Sequence, residues 1–300
     1  MSHMHGFLNI DKPAGMTSHD VVARVRRLMR QKRVGHAGTL DPAATGVLVV
    51  ALGQATRLIE YVQDETRKGY LATVRLGVTT ATDDAEGEIV ETQAVPALDR
   101  ATVEQALAAF RGAIQQVPPI YSALHHEGQR LYELARAGVT VDIPARTVLV
   151  YHLRLIDIKL PDLLLDIECG KGTYIRSIAR DLGAALGCGA HLAALRRTAV
   201  GTFGIADSAT LEALEANAAV PLLPPVTAVQ DWPMVVVEGE QAASLRNGRA
   251  IALDLAGERA RAHLAGGALL ALLAREGELW KPAKVFDWGL SGGLGAEGPR

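Results

Sequence analysis

Residues 35–52 read GHAGTLDPAATGVLVVAL, a polar loop with three glycines that leads directly into an unbroken apolar run. The run Val47–Leu52 is short and rich in β-branched residues, so it predicts a strand buried on both faces. Loops held by such rigid strands commonly position reactive side chains. Asp41, followed by Pro42, is the carboxylate of this loop. The dipeptide alone favours a turn in which the aspartate caps backbone N–H groups, and a catalytic carboxylate is the alternative interpretation.

The sequence around this stretch mixes strands with helices. Phe7–Ile10 predicts a short apolar strand, and Thr17 or Ser18 stands where the N-cap of the following helix belongs. Further strands are predicted at Tyr70–Leu76 and Leu163–Cys169, and further helices at Asp99–Gly112 and Thr173–Leu186. Because these elements follow no regular βαβ rhythm, they predict an α+β fold rather than a doubly wound sheet.

One segment within this pattern predicts an inserted arm. It covers residues 114–152, opens at Pro118-Pro119, and contains a predicted helix from about Glu127 to Ala137. Aromatic rings interleaved with cations suit RNA, because both can stack on exposed bases. The residues of this kind in the arm are Tyr121, His125, His126, Arg130 and Tyr132. For Tyr132, a place in the core-facing stripe of the helix is the better interpretation.

A domain boundary is predicted near residues 221–233, where four prolines interrupt the pattern. It separates residues 5–225 from a small, mostly-β domain at 232–290. Within that domain we expect a helix around Glu240–Arg246 and a hairpin at Gly266-Gly267. Residues 1–4 resemble the remnant of an expression tag, and the glycine-rich residues 291–300 are predicted to be disordered.

The composition, with 49% hydrophobic residues, is that of a globular protein. The longest apolar runs fall far short of the roughly 20 residues that span a bilayer, and from the first residues we expect no secretory leader. Cys169 and Cys188 have no partners at metal-ligand spacing. They predict reduced thiols in a cytoplasmic protein without a metal site.

The charge of the chain is unevenly distributed, although its net value is only −2. Residues 21–36 contain six basic side chains and no acidic one, whereas Asp83–Glu91 is an acidic run. The basic residues are Arg24, Arg26, Arg27, Arg30, Lys32 and Arg33. Such a helix is either a solvated surface or a face that contacts phosphates, and charge alone leaves both open.

A second polar loop, residues 169–176, reads CGKGTYIR. It resembles a phosphate-binding turn, but Gly172 separates Lys171 from the hydroxyl residue that a P-loop requires. Ile175 also replaces the last glycine of a dinucleotide fingerprint. A nucleotide-dependent kinase is therefore disfavoured, and the turn instead brings Tyr174 and Arg176 to the start of a helix.

The stretch His36–Gly46 resembles the nucleophile motif of the TruB branch of the pseudouridine synthases. Four further segments resemble that branch in the same order: residues 9–18, 118–124, 170–176 and 187–197. The C-terminal segment resembles a PUA RNA-binding domain through residues 245–248 and 280–282. This resemblance implies a mixed, largely antiparallel central sheet with helices and an active-site cleft, and it implies no cofactor and no metal.

The resemblance also implies a reaction, in which uridine 55 of the tRNA T-loop is isomerised to pseudouridine. Asp41 would initiate cleavage of the C1′–N1 bond, and Arg176 would pair with it. Tyr70 would stack on the flipped uracil, Tyr174 and Leu195 would line the pocket, and His36 would pack against the RNA.

Contacts to RNA are expected from basic residues along the matched segments and the arm. The candidates are Lys12, Arg24, Arg27, Arg30, Lys32, Arg33, His125, Arg130, Lys171, Arg196 and Arg197. The expected partner is the T-arm of tRNA, bound by a monomer that needs no protein partner and no membrane.

The arm departs from the family pattern at His125, where the family usually has lysine. Binding through the arm would then weaken as the pH rises through the imidazole range. Two other functions stay open: a guide-RNA-dependent pseudouridine synthase, and an RNA-binding or tRNA-folding protein whose main role is not catalytic.

Overall fold

The computed structural model describes residues 4–64, 66–122, 125–126, 129–130, 141–216 and 219–288, without the side chains of His125, His126 and Arg130. The helices are α1 (Ser18–Leu28), α2 (Ile59–Asp64), α3 (Arg100–Leu107), α4 (Ile175–Ala185), α5 (Leu211–Glu215) and α6 (Gly239–Arg246). The first strands are β1 (Gly6–Lys12), β2 (Val34–His36), β3 (Thr45–Leu52), β4 (Lys68–Leu76), β5 (Val78–Thr80), β6 (Ile89–Thr92), β7 (Gly112–Gln116), β8 (His125–His126) and β9 (Gln129–Arg130). They are followed by β10 (Arg146–Lys159), β11 (Asp162–Cys169), β12 (Ala190–Val200), β13 (Phe203–Gly204), β14 (Met234–Val236), β15 (Ile251–Ala252), β16 (Arg259–His263), β17 (Leu269–Glu276) and β18 (Leu279–Val285).

The central sheet has the order β1-β3-β12-β4-β11-β10-β7, with β2 beside β3 and β13 beside β12. All of its described pairings are antiparallel except the one between β12 and β3. The predicted α+β fold with a mixed, largely antiparallel sheet is therefore confirmed.

Strand β3 is buried on both faces, as its apolar run predicts. Val47, Val49 and Ala51 face one core cluster, while Leu48 and Val50 face a second cluster together with α1. Farther along the sheet, β4 and β11 alternate between buried and partly exposed positions. Their buried face, which includes Tyr70 of β4, packs against α3 and α4.

Two predicted boundaries differ from the structure. The helix predicted at Asp99–Gly112 is capped by Asp99 but ends at Leu107, since a 3-10 turn and then β7 follow. The predicted arm, 114–152, is too wide, because Ile114 and Val148 pair with each other inside the central sheet. The arm lies between 117 and 145. Its predicted helix, Glu127–Ala137, is wrong at Gln129–Arg130, which form strand β9 and pair with His125–His126. The other residues of that helix, including Tyr132, lie outside the described residues.

The C-terminal strands form a separate sheet in the order β14-β16-β17-β18-β15, with the predicted hairpin between β16 and β17. Strand β17 contributes side chains to two cores. Leu273 belongs to the core of this sheet, whereas Leu272 and Phe286 join the cluster that contains Val47 and Val49 of β3. The two sheets thus share a continuous apolar core.

None of the described helices is both long enough and apolar enough to cross a membrane.

Candidate active site

Asp41 lies in the loop that connects β2 to β3, and this loop passes directly over β12. Gly46, the second residue of β3, has a φ of +102°, and a Cβ there would lie 2.2 Å from the carbonyl oxygen of Arg197. Only glycine fits both the left-handed backbone and this approach. The close packing fixes where the loop leaves the strand.

Arg197, on β12, holds the Asp41 loop through hydrogen bonds to its backbone. Its side chain is 1% exposed, and its guanidinium donates to the carbonyl oxygens of Gly38 (3.1 Å), Thr39 (3.3 Å) and Val47 (2.7 Å). Five N–H donors in a planar fork can satisfy several carbonyls at once. Arg197 therefore fixes the backbone on both sides of Asp41.

Two further buried side chains hold the loop from the other side. The Nζ of Lys12 donates to the carbonyl oxygens of Pro13, Met16 and Pro42, and the lysine is 0% exposed. The hydroxyl of Ser18 accepts from the N–H of Leu40 and donates to its carbonyl oxygen. The backbone around Asp41 is thus held by the side chains of Arg197, Lys12 and Ser18, which belong to three other elements. The position of the carboxylate is therefore set before any substrate binds.

Arg176 approaches Asp41 from the first turn of α4. Its Nε lies 3.2 Å from Oδ2 of Asp41, and its Nη1 lies 3.4 Å from Oδ2 of Asp84. The same guanidinium donates to the carbonyl oxygens of Thr82 and Tyr121. Since the side chain of Arg176 is 8% exposed and that of Asp41 is 43% exposed, the arginine is fixed and the carboxylate faces the cleft.

The cleft has a volume of about 910 Å³ and contains the predicted pocket residues Tyr70, Tyr174 and Leu195. Tyr70 lies on the buried face of β4, and burial raises the pKa of its phenol to about 12, so the hydroxyl stays protonated at neutral pH. The backbone of Tyr174 is held by both ends of the Gln116 amide, and its ring lies 5.0 Å from the guanidinium of Arg146. An electrophilic carbon placed between Asp41 and these rings would meet a positioned carboxylate in a partly enclosed space.

Two residues of the cleft were missed by the sequence analysis. Asp84 belongs to the acidic run Asp83–Glu91, and no local pattern distinguishes it from its exposed neighbours. Lys68 stands at a buried position of β4, two residues before Tyr70, and lines the cleft. The alternation of β4 places residue 68 on the same face as Tyr70, which is the signal that could have revealed it.

The RNA contacts of Lys12 and Arg197 stay predictions, although both side chains are directed into the protein in this structure. Both cations are buried, and their donors are directed to backbone carbonyl oxygens of the Asp41 loop. Arg24 and Arg196 are partly exposed and form ion pairs with Glu215 and Asp11. The remaining described candidates, Arg27, Arg30, Lys32, Arg33 and Lys171, are exposed.

His36 lies on β2 rather than in the cleft. Its ring is half-buried and stands edge-on to the ring of His19, with the centroids 5.3 Å apart. Burial, followed by the proximity of His19, lowers the pKa of His36. The predicted roles of His125 and Arg130 concern side chains outside the described part of the structure.

Among the described residues, no three His, Cys, Asp or Glu side chains come together in a group that could hold a metal ion. Cys169 and Cys188 are both buried free thiols. The side chains that line the cleft include carboxylates, cations and aromatic rings.

The chain matches three family models in succession. Residues 26–175 match the N-terminal domain of the TruB family of pseudouridylate synthases, and residues 176–221 match the C-terminal domain of tRNA pseudouridylate synthase B. Residues 232–287 match the C-terminal domain of tRNA pseudouridine synthase II.

Individual proteins agree with these models. The chain is 50% identical over 258 residues to tRNA pseudouridine synthase B of Trichormus variabilis, covering 84% of this chain and 87% of that protein. It is 46% identical over 291 residues to the Dehalococcoides mccartyi protein of the same name, covering 94% and 97%. Among solved structures, a Cbf5–Nop10–Gar1 complex matches with a TM-score of 0.71 and 27% identity, covering 93% of this chain and 84% of the matched chain. With its cleft carboxylate, its fold and these matches, the chain belongs to the TruB family of pseudouridylate synthases.

Proposed function

We propose that the chain isomerises uridine 55 in the T-arm loop of tRNA to pseudouridine, with Asp41 as the catalytic carboxylate. The observation that carries this proposal is the contact between Asp41 and Arg176 in a cleft that also contains Tyr70. Relatives that are about half identical over most of the chain are named as tRNA pseudouridine synthases, which supports the choice of tRNA as substrate.

The reaction rearranges bonds without a net change in atoms. The C1′–N1 bond breaks and its electron pair stays on the uracil, while Asp41 stabilises the positive charge at C1′ or bonds to it, as carboxylates do in glycoside hydrolysis. The uracil then turns, and its C5 forms the new bond to C1′. Finally, C5 loses its proton and N1 gains one, which restores a neutral base.

A uridine in a folded loop has to leave its stack before it can reach this cleft. Tyr70 and Tyr174 supply aromatic rings to the same cleft as Asp41. We assign Tyr70 to stacking on the extruded uracil, because its side chain lies on the buried face of β4 and lines the cleft. Leu195 supplies an apolar wall of the pocket.

The charged surface of α1 and the residues after it suits a nucleic acid. Arg27, Arg30 and Lys32 are exposed in a segment without acidic residues, and Lys171 is exposed at the cleft. Since cations that neutralise phosphates supply much of the affinity for nucleic acids, we assign this surface to the tRNA backbone. We further propose that the chain works in the cytoplasm as a monomer.

The guide-RNA-dependent function is the second candidate, because a Cbf5 complex shares the fold at 27% identity. We favour the stand-alone function, since the relatives with 41–51% identity are named as tRNA enzymes. Activity on tRNA without any guide or partner protein separates the two.

The test is incubation of the purified chain with an unmodified tRNA transcript, followed by nucleotide-resolved mapping of pseudouridine. We expect modification at the T-loop uridine and at no other uridine of the same transcript. A transcript in which cytidine replaces uridine 55 serves as the matched control. Modification elsewhere, or modification only after a guide RNA is added, would contradict the proposed substrate.

A further inference from the structure

Lys68 is a buried cation in the wall of the cleft. It is 8% exposed and lies on β4, on the same face as Tyr70 and two residues away, which corresponds to about 7 Å along a strand. Its Cε lies 3.8 Å from the position that a Cβ on Gly38 would occupy. The lysine thus reaches toward the loop that holds Asp41.

The contacts of Lys68 leave much of its hydrogen-bonding capacity unused in the described part of the chain. Its Nζ donates to the carbonyl oxygen of Gln63, at 2.7 Å, in the last turn of α2. An ammonium group carries three donors. The contact with Gln63 therefore accounts for one of them, and a structural role as a cap of α2 would need no more.

The charges around Lys68 do not neutralise it. Burial, then the neighbouring cation of Arg197, lowers the pKa of Lys68, while Cys169 and Asp64 oppose this shift and Lys171 adds to it. Burial also raises the pKa of the Cys169 thiol to about 11, so the thiol supplies no anion at neutral pH. Asp41 and Asp84 are already engaged by the guanidinium of Arg176.

Burying the cation of Lys68 costs free energy unless an anion compensates it. The proposed reaction supplies such an anion at one step. When C1′–N1 breaks, the electron pair stays on N1 and spreads to the two carbonyl oxygens of the uracil. Preorganised charge directed at developing charge is commonly the largest catalytic contribution of an active site. We propose that the ammonium of Lys68 stabilises this detached uracil anion while the base turns, an inference that rests on the proposed function.

Three substitutions separate this role from capping of α2. Lys68→Met removes the charge and the donor at similar length, Lys68→Gln keeps an N–H for the Gln63 carbonyl without the charge, and Lys68→Arg keeps the charge. For each variant, three quantities are measured: the single-turnover rate with saturating enzyme, the tRNA dissociation constant and the unfolding curve. Lys159→Met, at a side chain that is 84% exposed, is the matched lysine control.

We expect the Met and Gln variants to lose about 100-fold in the single-turnover rate, with little change in the tRNA dissociation constant. The Arg variant should recover part of the rate, and the control should match the wild type. If Lys68→Gln converts tRNA at the wild-type rate, or if the loss appears only in the dissociation constant, the inference is overturned. Should the wild type itself form no pseudouridine, the proposed function fails instead.

Discussion

At the scale of single residues, Arg176 contacts both Asp41, the proposed catalytic carboxylate, and Asp84, which the sequence did not single out. Asp84 binds Arg176 through Oδ2, while its Oδ1 accepts from the N–H of Glu86. Neutralising Asp84 would remove one of the contacts that position the guanidinium, which leaves only the carbonyl oxygens of Thr82 and Tyr121 to hold it against Asp41. Misplacing a catalytic group by about 1 Å can cost about 100-fold in rate.

We therefore predict that Asp84→Asn lowers the single-turnover rate by about 10- to 100-fold with little effect on tRNA affinity. Asp83→Asn is the matched control, because Asp83 pairs with Arg180 and not with Arg176. Quench-flow measurement of product formation checks both. Equal losses in the two variants would show that general disturbance of the acidic loop, and not Arg176, is responsible.

His36 predicts a pH dependence of stability at the same scale. Its pKa is lowered by burial from the ordinary value of 6.5, so the folded state binds a proton less readily than the unfolded chain. Above pH 6.5 both states carry the neutral ring and the stability is fully present. As the pH falls, the unfolded chain takes up the proton first, and the free energy of unfolding decreases. Urea unfolding at about pH 8 and about pH 5 should show a smaller decrease for His36→Asn than for the wild type, and an identical decrease would refute this.

At the scale of elements, the Asp41 loop depends on buried side chains that belong to other strands and helices. The neighbouring residues Arg196 and Arg197 on β12 provide a matched comparison. Arg197 is buried and serves three carbonyl oxygens, whereas the Arg196 side chain is 41% exposed and pairs with Asp11.

Leaving buried carbonyls without partners costs about 1–3 kcal/mol each, whereas an exposed ion pair contributes about 0–1 kcal/mol. We predict that Arg197→Met lowers the free energy of unfolding by about 3 kcal/mol or more, and that Arg196→Met lowers it by less than about 1 kcal/mol. Denaturant unfolding measures both. If the two variants were equally stable, the loop would not depend on the Arg197 clamp.

At the scale of the whole molecule, the C-terminal sheet and the central sheet share an apolar core. Leu272 of β17 faces the cluster that includes β3, and Leu273 faces the core of its own sheet. Because Leu272 is buried against residues of the central sheet, separating the two sheets would expose part of the core of each. We therefore expect the two sheets to unfold together.

We predict a single unfolding transition in calorimetry, which both Leu272→Ala and Leu273→Ala move to lower temperature. Each substitution should cost about 2–5 kcal/mol, since both leucines are at most 1% exposed. Two separate transitions, with only one moved by each variant, would mean that the C-terminal sheet unfolds independently.

The sequence predicted those features that depend on local pattern. The apolar run Val47–Leu52 predicted its doubly buried strand, and the α+β class followed from the order of elements. Asp84 and the clamping role of Arg197 were not predictable in this way, because each depends on a partner about 90 or more residues away in the chain. Charge alone also could not separate the buried Arg197 from the partly exposed Arg196.

The proposed function depends most directly on the carboxylate of Asp41, which we propose to drive cleavage of the C1′–N1 bond. Its most direct test is single-turnover conversion of an unmodified tRNA transcript by the wild type and by Asp41→Asn, with tRNA binding measured for both. We expect pseudouridine at the T-loop uridine with the wild type and none with Asp41→Asn, although the variant still binds tRNA. Conversion by Asp41→Asn at a rate near that of the wild type would contradict the claim.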